Sequence, residues 1–158
     1  MKIEDHETMI LKFREAISLV FEGLAFANPD AIHPTDLLPE IMPSDYFSYI
    51  DFSKPIQGKI GLVINKAFLL NILKSTLGKS ITQISEKEIK DLSTELVNTI
   101  AGNFLKNIPS SRRQIKIGLP VAAAGAIPEE FLKPDDGPFM LHYRFGYRHV
   151  FGILIANP

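Results

Sequence analysis

One long amphipathic segment, residues 85–108, constrains the fold of this chain more than any other stretch. Its sequence is SEKEIKDLSTELVNTIAGNFLKNI. Ser85 and Glu88 have the spacing of a capping box, in which two side chains satisfy free amide groups at a helix start. Apolar residues then recur every three or four positions, as on one buried helix face: Ile89, Leu92, Leu96, Ile100, Phe104 and Ile108. Because Pro109 ends the pattern, the segment predicts one long helix packed on the core.

The apolar stripe also determines which residues face away from the core. At about 100° per residue, four residues fall on the opposite side: Asp91, Glu95, Asn98 and Gly102. Glu95 and Asn98 are three positions apart and are therefore neighbours on this face. A glycine inside a helix costs about 1 kcal/mol relative to alanine, and it leaves a bare patch that another surface can approach closely. The exposed face is thus predicted to carry an acid, an amide and open space.

The composition excludes several classes of function. The chain has 158 residues, 46% of them hydrophobic and 22% charged, which fits one globular domain with a sizeable core. Its formal net charge of -1 gives no long-range attraction to nucleic acid or to an anionic membrane. Because there is no cysteine, thiolate catalysis, disulfides and cysteine-based metal sites are excluded. The charged start, MKIEDHE, and the short apolar runs predict neither a signal peptide nor a membrane span, so we expect a cytoplasmic protein.

The first half of the chain predicts a helix, a loop and a strand pair. Residues 1–24 are the N-terminal helical region, with helical apolar spacing over residues 4–24. Residues 25–44 contain four prolines and predict an irregular loop. Two strands that pair antiparallel are predicted at Tyr46–Phe52 and Lys59–Asn65. A short helix is predicted at Phe68–Leu77, and Gly78 is expected to cap it.

The second half predicts more strands. A strand is expected at Gln114–Leu119, and Pro120 and the residues up to 138 form a stretch with little periodicity. Residues 139–155 predict strand structure in which Gly146 is either a hairpin turn or a bulge in one longer strand, and we favour two strands joined by a hairpin. The order of elements indicates an α+β fold with about three helices on a largely antiparallel sheet. We expect a single domain over residues 1–158, with its core in residues 45–158.

Other candidate ligand-binding residues form incomplete sets. The sequence lacks a glycine-rich phosphate loop and the His-Glu-x-x-His zinc motif. His142 and His149 could face each other across the hairpin and bind a metal ion, but two strand histidines with no ligand role fit this sparse set better. Four residues interleave bases with aromatic rings, as in surfaces that bind single-stranded nucleic acid: Tyr143, Arg144, Tyr147 and Arg148. The net charge favours a solvated hairpin face instead, so we expect neither a metal site nor a nucleic-acid partner.

The segment around the exposed pair resembles a known family. Glu95-Leu-Val-Asn98, followed by the small residues Ala101 and Gly102, resembles the Glu-x-x-Asn signature on the long helix of the CheC/CheX/FliY chemotaxis phosphatases. The stretch PVAAAG at residues 120–125 is similar to the Pro-x-x-x-x-Gly stretch of CheX-like domains. With the strand pair and short helix before it, the resemblance covers about residues 45–155. It implies a CheC/CheX-like α+β fold and, because the motif occurs once, the CheX-like form with one site.

The resemblance implies a specific enzymatic function. These proteins dephosphorylate the aspartyl-phosphate of a CheY-type response regulator, and the Mg²⁺ ion belongs to that regulator, so the chain needs no cofactor of its own. By the motif, Asn98 positions the attacking water and Glu95 pairs with the regulator's lysine. Asp91 and Gly102, on the same face, are expected to contact the regulator.

Two alternatives to catalysis remain open at this point. The chain could be a signalling module that binds or sequesters a receiver without hydrolysing its phosphate, or a dimeric adaptor that does not use the helix face. CheX-like domains are typically homodimers that pair through their sheets, so the resemblance also implies a homodimer. The sequence identifies neither the cognate receiver nor the signalling pathway.

Overall fold

Four helices and seven strands make up the part of the chain that the structure, a computed structural model, describes. The described residues are 6–24, 28–35, 40–54, 56–108, 114–132, 139–146 and 148–157. The helices are α1 (His6–Leu24), α2 (Lys66–Leu77), α3 (Glu86–Lys106) and α4 (Glu129–Leu132), with a 3-10 turn at Ile81–Gln83. The strands are β1 (Ala31–Thr35), β2 (Asp45–Lys54), β3 (Gln57–Asn65), β4 (Lys116–Ile117), β5 (Val121–Ala124), β6 (Phe139–Phe145) and β7 (Arg148–Asn157).

All seven strands belong to one antiparallel sheet. The strand order is β1-β6-β7-β3-β2, and both β4 and β5 pair with the far side of β2. In the central pair, Phe47 of β2 lies opposite Val63 of β3, which confirms the predicted antiparallel pairing of these strands. Helices on an antiparallel sheet also confirm the predicted α+β class.

The two faces of the sheet are covered differently. α1, α2 and α3 pack on one face and form the main core, to which the fully buried Phe13, Ile50 and Leu96 belong. On the other face, a smaller cluster is built around Phe131 of α4, whose ring packs edge-on against Phe47 at 4.9 Å between centroids. The sheet is therefore sandwiched between a thick helical layer and a thin second layer.

Two glycines make the turns that the sequence predicts. Gly78 has a φ of 66°, in the left-handed region that glycine adopts without strain, and its amide donates to the Lys74 carbonyl at 3.2 Å. Gly146 has a φ of 65° between β6 and β7. The predicted helix cap and the predicted hairpin are both confirmed.

The prediction that residues 25–44 form an irregular loop is partly wrong. Ala31–Thr35 forms β1, which pairs with β6 at the edge of the sheet. Pro34 lies inside this strand and is the reason that the sequence pattern indicates a loop. An edge strand tolerates proline because only one of its two sides is hydrogen bonded to the sheet.

The predictions for residues 114–138 are also partly wrong. The strand expected at Gln114–Leu119 is confined to Lys116–Ile117, and Val121–Ala124 forms the unpredicted strand β5. Alanine has a low strand propensity, so the sequence gives no local signal for β5; pairing with β2 supplies its hydrogen bonds. The short helix α4, Glu129–Leu132, also lies inside the stretch predicted to be irregular.

Two substitutions test the phase of α3, that is, which of its faces is turned towards the core. Leu96 is fully buried and Glu95 next to it is exposed. We expect Leu96→Ala to lower the free energy of unfolding by about 2–5 kcal/mol, because it leaves a cavity in the core. Glu95→Ala is expected to change it by less than about 0.5 kcal/mol. Urea denaturation followed by circular dichroism measures both, and an equal or larger loss for Glu95→Ala would contradict the assigned phase.

Candidate functional site

The N-terminus of α3 is fixed by the predicted capping box. The Ser85 hydroxyl accepts a hydrogen bond from the Glu88 amide at 3.1 Å, and the Ser85 amide donates to Glu88 Oε1 at 3.2 Å. The bond from the Ser85 amide, with a second bond from Lys79, lowers the pKa of Glu88. An anionic Glu88 also interacts favourably with the positive end of the helix dipole. The capping-box prediction is confirmed.

A second set of contacts ties this end of α3 to the sheet and to α2. The hydroxyl of Tyr46 in β2 donates to the Glu86 carboxylate, which also accepts from Lys66 Nζ of α2 at 2.5 Å. Burial, reinforced by Glu86, raises the pKa of Tyr46 to about 12, so its hydroxyl remains a donor at neutral pH. The bonds from Lys66 and Tyr46 lower the pKa of Glu86, which therefore remains an anion. Tyr46 and Glu86 are far apart in sequence, so sequence patterns gave no signal for this contact.

Aromatic packing holds the other end of α3. Phe104 is fully buried between α1 and the sheet. Its ring lies edge-on to Phe13 of α1, with 6.0 Å between centroids, and 6.2 Å from the ring of Phe52 in β2. Such contacts add to the free energy gained by burying the rings. With both ends anchored, the orientation of the helix about its own axis is fixed.

The face of α3 that points away from the core carries the predicted residues. Asp91, Glu95 and Asn98 are all exposed, and a Cβ atom added to Gly102 would meet no atom within 4 Å. In the described part of the chain, the side chains of Glu95 and Asn98 have no hydrogen-bond or ion-pair partner, whereas Asp91 pairs with Lys87 at 3.2 Å. The predicted exposure is confirmed, and the acid and the amide are free to bind another molecule.

The buried side of α3 is broader than the predicted single stripe. Ser93, Val97, Ala101 and Leu105 are buried in addition to most of the predicted residues. Leu92, predicted to be in the stripe, is only half-buried. The helix is covered on two flanks, by α1 and α2 and by the sheet, so a wide arc of its surface is removed from water. The exposed arc that remains is correspondingly narrow.

The exposed pair does not line either of two cavities on the described surface. One, of about 330 Å³, lies among β2, β3 and β4 and is bordered by Asp51, Lys59 and Lys116. The other, of about 450 Å³, is bordered by Glu40 and His149. The lining of neither contains a residue of α3. Glu95 and Asn98 thus lie on an exposed helix surface outside these cavities, which suits contact with a macromolecule better than enclosure of a small substrate.

The candidate histidine pair lies on the outer face of the sheet. His142 Nε2 and His149 Nδ1 are 2.6 Å apart and share a hydrogen bond. The rings do face each other across the hairpin, as the sequence suggested. Among the described residues, no group of three or more histidine, aspartate and glutamate side chains is arranged to hold a metal ion.

The interleaved bases and aromatics of the hairpin do not form one surface. Tyr143 is fully buried, and its hydroxyl donates to the Arg14 carbonyl at 2.8 Å, so the prediction of a solvated face is wrong for this residue. Strand alternation places it on the helix-covered side of β6, whereas Arg144 is exposed. The Arg148 guanidinium lies 5.3 Å from the ring centroid of Phe68. Tyr147 lies outside the described residues.

The chain matches a protein-family model. The family described as "Chemotaxis phosphatase CheX" matches residues 46–129, more than half of the chain. This range includes the Glu-x-x-Asn segment and the Pro-x-x-x-x-Gly stretch. Comparison with curated protein sequences gives no significant match. No helix in the described ranges has both the length and the apolar character needed to cross a membrane.

Several solved structures share the fold. CheX in the CheX-CheY-BeF3-Mg²⁺ complex from Borrelia burgdorferi has a TM-score of 0.77 and 13% identity, over 95% of this chain and 98% of that one. The chemotaxis protein CheX from Vibrio vulnificus has a TM-score of 0.76 and 17% identity, over 95% and 99%. FliY from Thermotoga maritima has a TM-score of 0.60 and 10% identity, over 99% and 92%. These similarities confirm the predicted CheC/CheX-like fold.

Proposed function

Because the chain belongs to the CheX chemotaxis phosphatase family, we propose that it accelerates hydrolysis of the aspartyl-phosphate of a CheY-type response regulator. The observation that carries the proposal is the exposed pair Glu95 and Asn98, free of partners within the described residues, on a helix anchored at both ends. The similar CheX from Borrelia burgdorferi was solved with CheY and Mg²⁺, which supports this class of partner and a metal ion on the partner side.

In this proposal Asn98 positions the attacking water. Its amide oxygen accepts a hydrogen bond from the water, which directs a water lone pair at phosphorus in line with the aspartyl oxygen. A bond forms between the water oxygen and phosphorus as the bond from phosphorus to the aspartyl oxygen breaks. The products are inorganic phosphate and the free aspartate of the regulator. Phosphoryl transfer depends mainly on positioning and charge stabilisation, so an amide and a charge contact are a sufficient contribution from this chain.

Glu95 supplies the electrostatic contact with the partner. Its carboxylate is exposed and, in the described residues, is not engaged by a cation of the same chain. We propose that it pairs with a lysine beside the regulator's phosphorylated aspartate, since charge-assisted hydrogen bonds are stronger than neutral ones. This contact orients α3 on the regulator, which also brings Asn98 to the phosphorus. A Mg²⁺ ion bound at the partner's own site would neutralise phosphate charge.

Asp91 and Gly102 extend the proposed contact surface along the helix. The Lys87–Asp91 pair is solvent-exposed and contributes little to stability, so Asp91 can exchange this partner for one on the regulator. At Gly102 the missing side chain lets the regulator's backbone come close to the helix. The contact surface therefore runs over three turns, with the acid and the amide at its centre.

Phosphate release tests the catalytic roles. We expect the wild-type protein to accelerate dephosphorylation of a phosphorylated CheY-type receiver. Asn98→Ala is expected to lower the acceleration on the order of 100-fold, because the water loses its orientation. Glu95→Ala is expected to weaken receiver binding and lower the rate at subsaturating receiver. Asn107→Ala, which changes the exposed asparagine that follows the last turn of the same helix, serves as the control and is expected to retain activity.

The same assay separates the alternatives. If no receiver from the source organism loses phosphate faster with the wild-type protein than without it, the phosphatase proposal is wrong. Binding without acceleration would identify a module that sequesters the receiver. Unchanged binding in the Glu95→Ala, Asn98→Ala double variant would identify an adaptor that uses another surface.

Gly102→Ala separates stability from function. A Cβ at this position meets nothing in the chain, and alanine is the better helix former, so the free energy of unfolding is expected to rise by about 0.5–1 kcal/mol. Receiver binding and phosphate release are expected to fall, because the methyl group occupies the space of close approach. Thermal denaturation and the phosphatase assay measure the two effects. Full activity in a stabilised variant would remove Gly102 from the contact surface.

We also propose that the chain is a homodimer joined through the β4–β5 edge of its sheet. Leu119 is 89% exposed and Val121 is 45% exposed, both at a sheet edge that a second strand can extend. Exposed apolar edges of this kind promote pairing with another chain. An interface there would leave the Glu95 face of α3 available if the partner strand continues the plane of the sheet.

Sedimentation tests the dimer. The wild-type protein is expected to sediment with twice the 17.7 kDa mass of the chain. A charge in the apolar edge, Leu119→Asp, is expected to shift it to the monomer. Leu19→Asp on the outer face of α1, where the leucine is 57% exposed, is the matched control and is expected to remain a dimer. A monomeric wild-type protein, or dissociation by the control substitution alone, would rule out this interface.

A further inference from the structure

Three histidines form a row across one edge of the sheet, on the face opposite α3. His33 of β1 lies directly across from His142 of β6, and His142 is hydrogen bonded to His149 of β7, with 2.6 Å between Nε2 and Nδ1. The His142 ring also stacks on Phe151, with centroids 4.5 Å apart and planes 7° from parallel. The central imidazole is thus held between two strands and packed on a third ring.

The hydrogen bond between the two imidazoles depends on their protonation. A neutral imidazole has one donor and one acceptor nitrogen, whereas an imidazolium has two donors. One proton between Nε2 of His142 and Nδ1 of His149 makes a hydrogen bond. A second proton would place two N–H groups against each other. Two donors repel, so the nitrogens cannot remain 2.6 Å apart. Full protonation of the pair therefore requires the rings to separate.

In the described residues, the charged groups near the pair do not stabilise a second positive charge on it. Arg144 lies opposite His149 in the β6–β7 register, and His33 adds another titratable base from β1. Glu40 and Asp45 border the cavity that His149 also lines. Within the described ranges, neither carboxylate forms an ion pair with an imidazole, and Asp45 is already bonded to Asn65 at 3.0 Å.

β1, the outermost strand of this row, pairs with β6 alone among the described strands. β1 has five residues, none of them buried, and includes Pro34, which has no amide hydrogen to donate. Its preceding residue Asp30 is bonded to the hairpin, through its amide to the Arg144 carbonyl at 2.8 Å and through its carboxylate to the Gly146 amide at 2.5 Å. Disturbance of β6 at His142 and Arg144 therefore acts directly on the contacts that hold β1.

We propose that the His142–His149 hydrogen bond stabilises the β1–β6–β7 edge in a pH-dependent way. With one proton between the two facing nitrogens the bond holds the edge together, and with a proton on each of them the bond breaks and β1 is released. The inference does not rest on the phosphatase function, since it concerns the opposite face of the sheet. Release of β1 uncovers the backbone of β6 as a new sheet edge. The proposed release of β1 is thus a local unfolding event whose population depends on pH.

The direction of the effect follows from proton linkage. Burial, and then the charges of His149, His33 and Arg144, lower the pKa of His142 below its ordinary value of 6.5. The unfolded or released state therefore binds more protons than the closed state below about pH 6.5. The stabilising contribution is complete above the ordinary pKa and is lost as the pH falls from there through the lowered pKa.

Hydrogen exchange tests the proposal. Exchange of backbone amides is compared at about pH 7.5 and about pH 5.5, on either side of the histidine range, after correction for intrinsic rates. We expect protection of the β1 and β6 amides to fall by about threefold or more at the lower pH, while α3 amides keep their protection. In His149→Gln, whose side chain bonds without titrating, this pH dependence is expected to be smaller than in the wild type, because the charge of His149 is removed while His142 stays buried. His6→Gln, which removes a histidine of α1, is the matched control and is expected to behave as the wild type.

Two results would overturn the proposal. One is equal pH dependence of β1 and β6 protection in the wild type and in His149→Gln. The other is a wild-type protein whose β1 and β6 amides lose no more protection than those of α3. If His149→Gln fails to fold, an NMR titration of the wild-type histidines decides instead. His142 must then titrate below its ordinary pKa of 6.5, and β1 and β6 amide resonances must shift with the same midpoint.

Discussion

The packing of α3 between α1 and β2 is the interaction on which the rest of the structure depends. Phe104 fills the space between Phe13 and Phe52 at one end of the helix, and Tyr46 and Lys66 hold Glu86 at the other. An amphipathic helix is stabilised mainly by burial of its apolar side. Here that burial also fixes the helix rotation, and therefore which side chains the protein presents to solvent.

A fixed helix face can act as part of a site without forming a pocket. The proposed reaction needs an oriented water and one charge contact, and both come from side chains one turn apart on a helix that is anchored at both ends. Folding fixes the helix backbone that carries these groups, so only the two side chains are ordered at the moment of binding. This explains how a chain without a cysteine nucleophile can contribute to phosphoryl transfer when the phosphate and the metal are on its partner.

The elements that the sequence predicted well are those with local causes. The capping box, the left-handed Gly78 cap, the Gly146 hairpin and the apolar phase of α3 all depend on residues within a few positions of one another. β1 and β5 were missed because proline and alanine do not favour strands, and only pairing with β6 and β2 makes them strands. The Tyr46–Glu86 contact has no signature for the same reason, since it joins segments brought together by the fold.

The features of the candidate site can likewise be separated into those with local causes and those that depend on tertiary packing. The sequence by itself determined that Glu95 and Asn98 share one helix face and that this face is polar, because helical periodicity is a property of the local backbone. Tertiary structure decided how wide the exposed arc is, that both side chains lack partners within the described residues, and that Asp91 has one. It also brought His33 and His142 together with His149 from three strands. Side-chain environment depends on segments distant in sequence, so it is known only once those segments are packed.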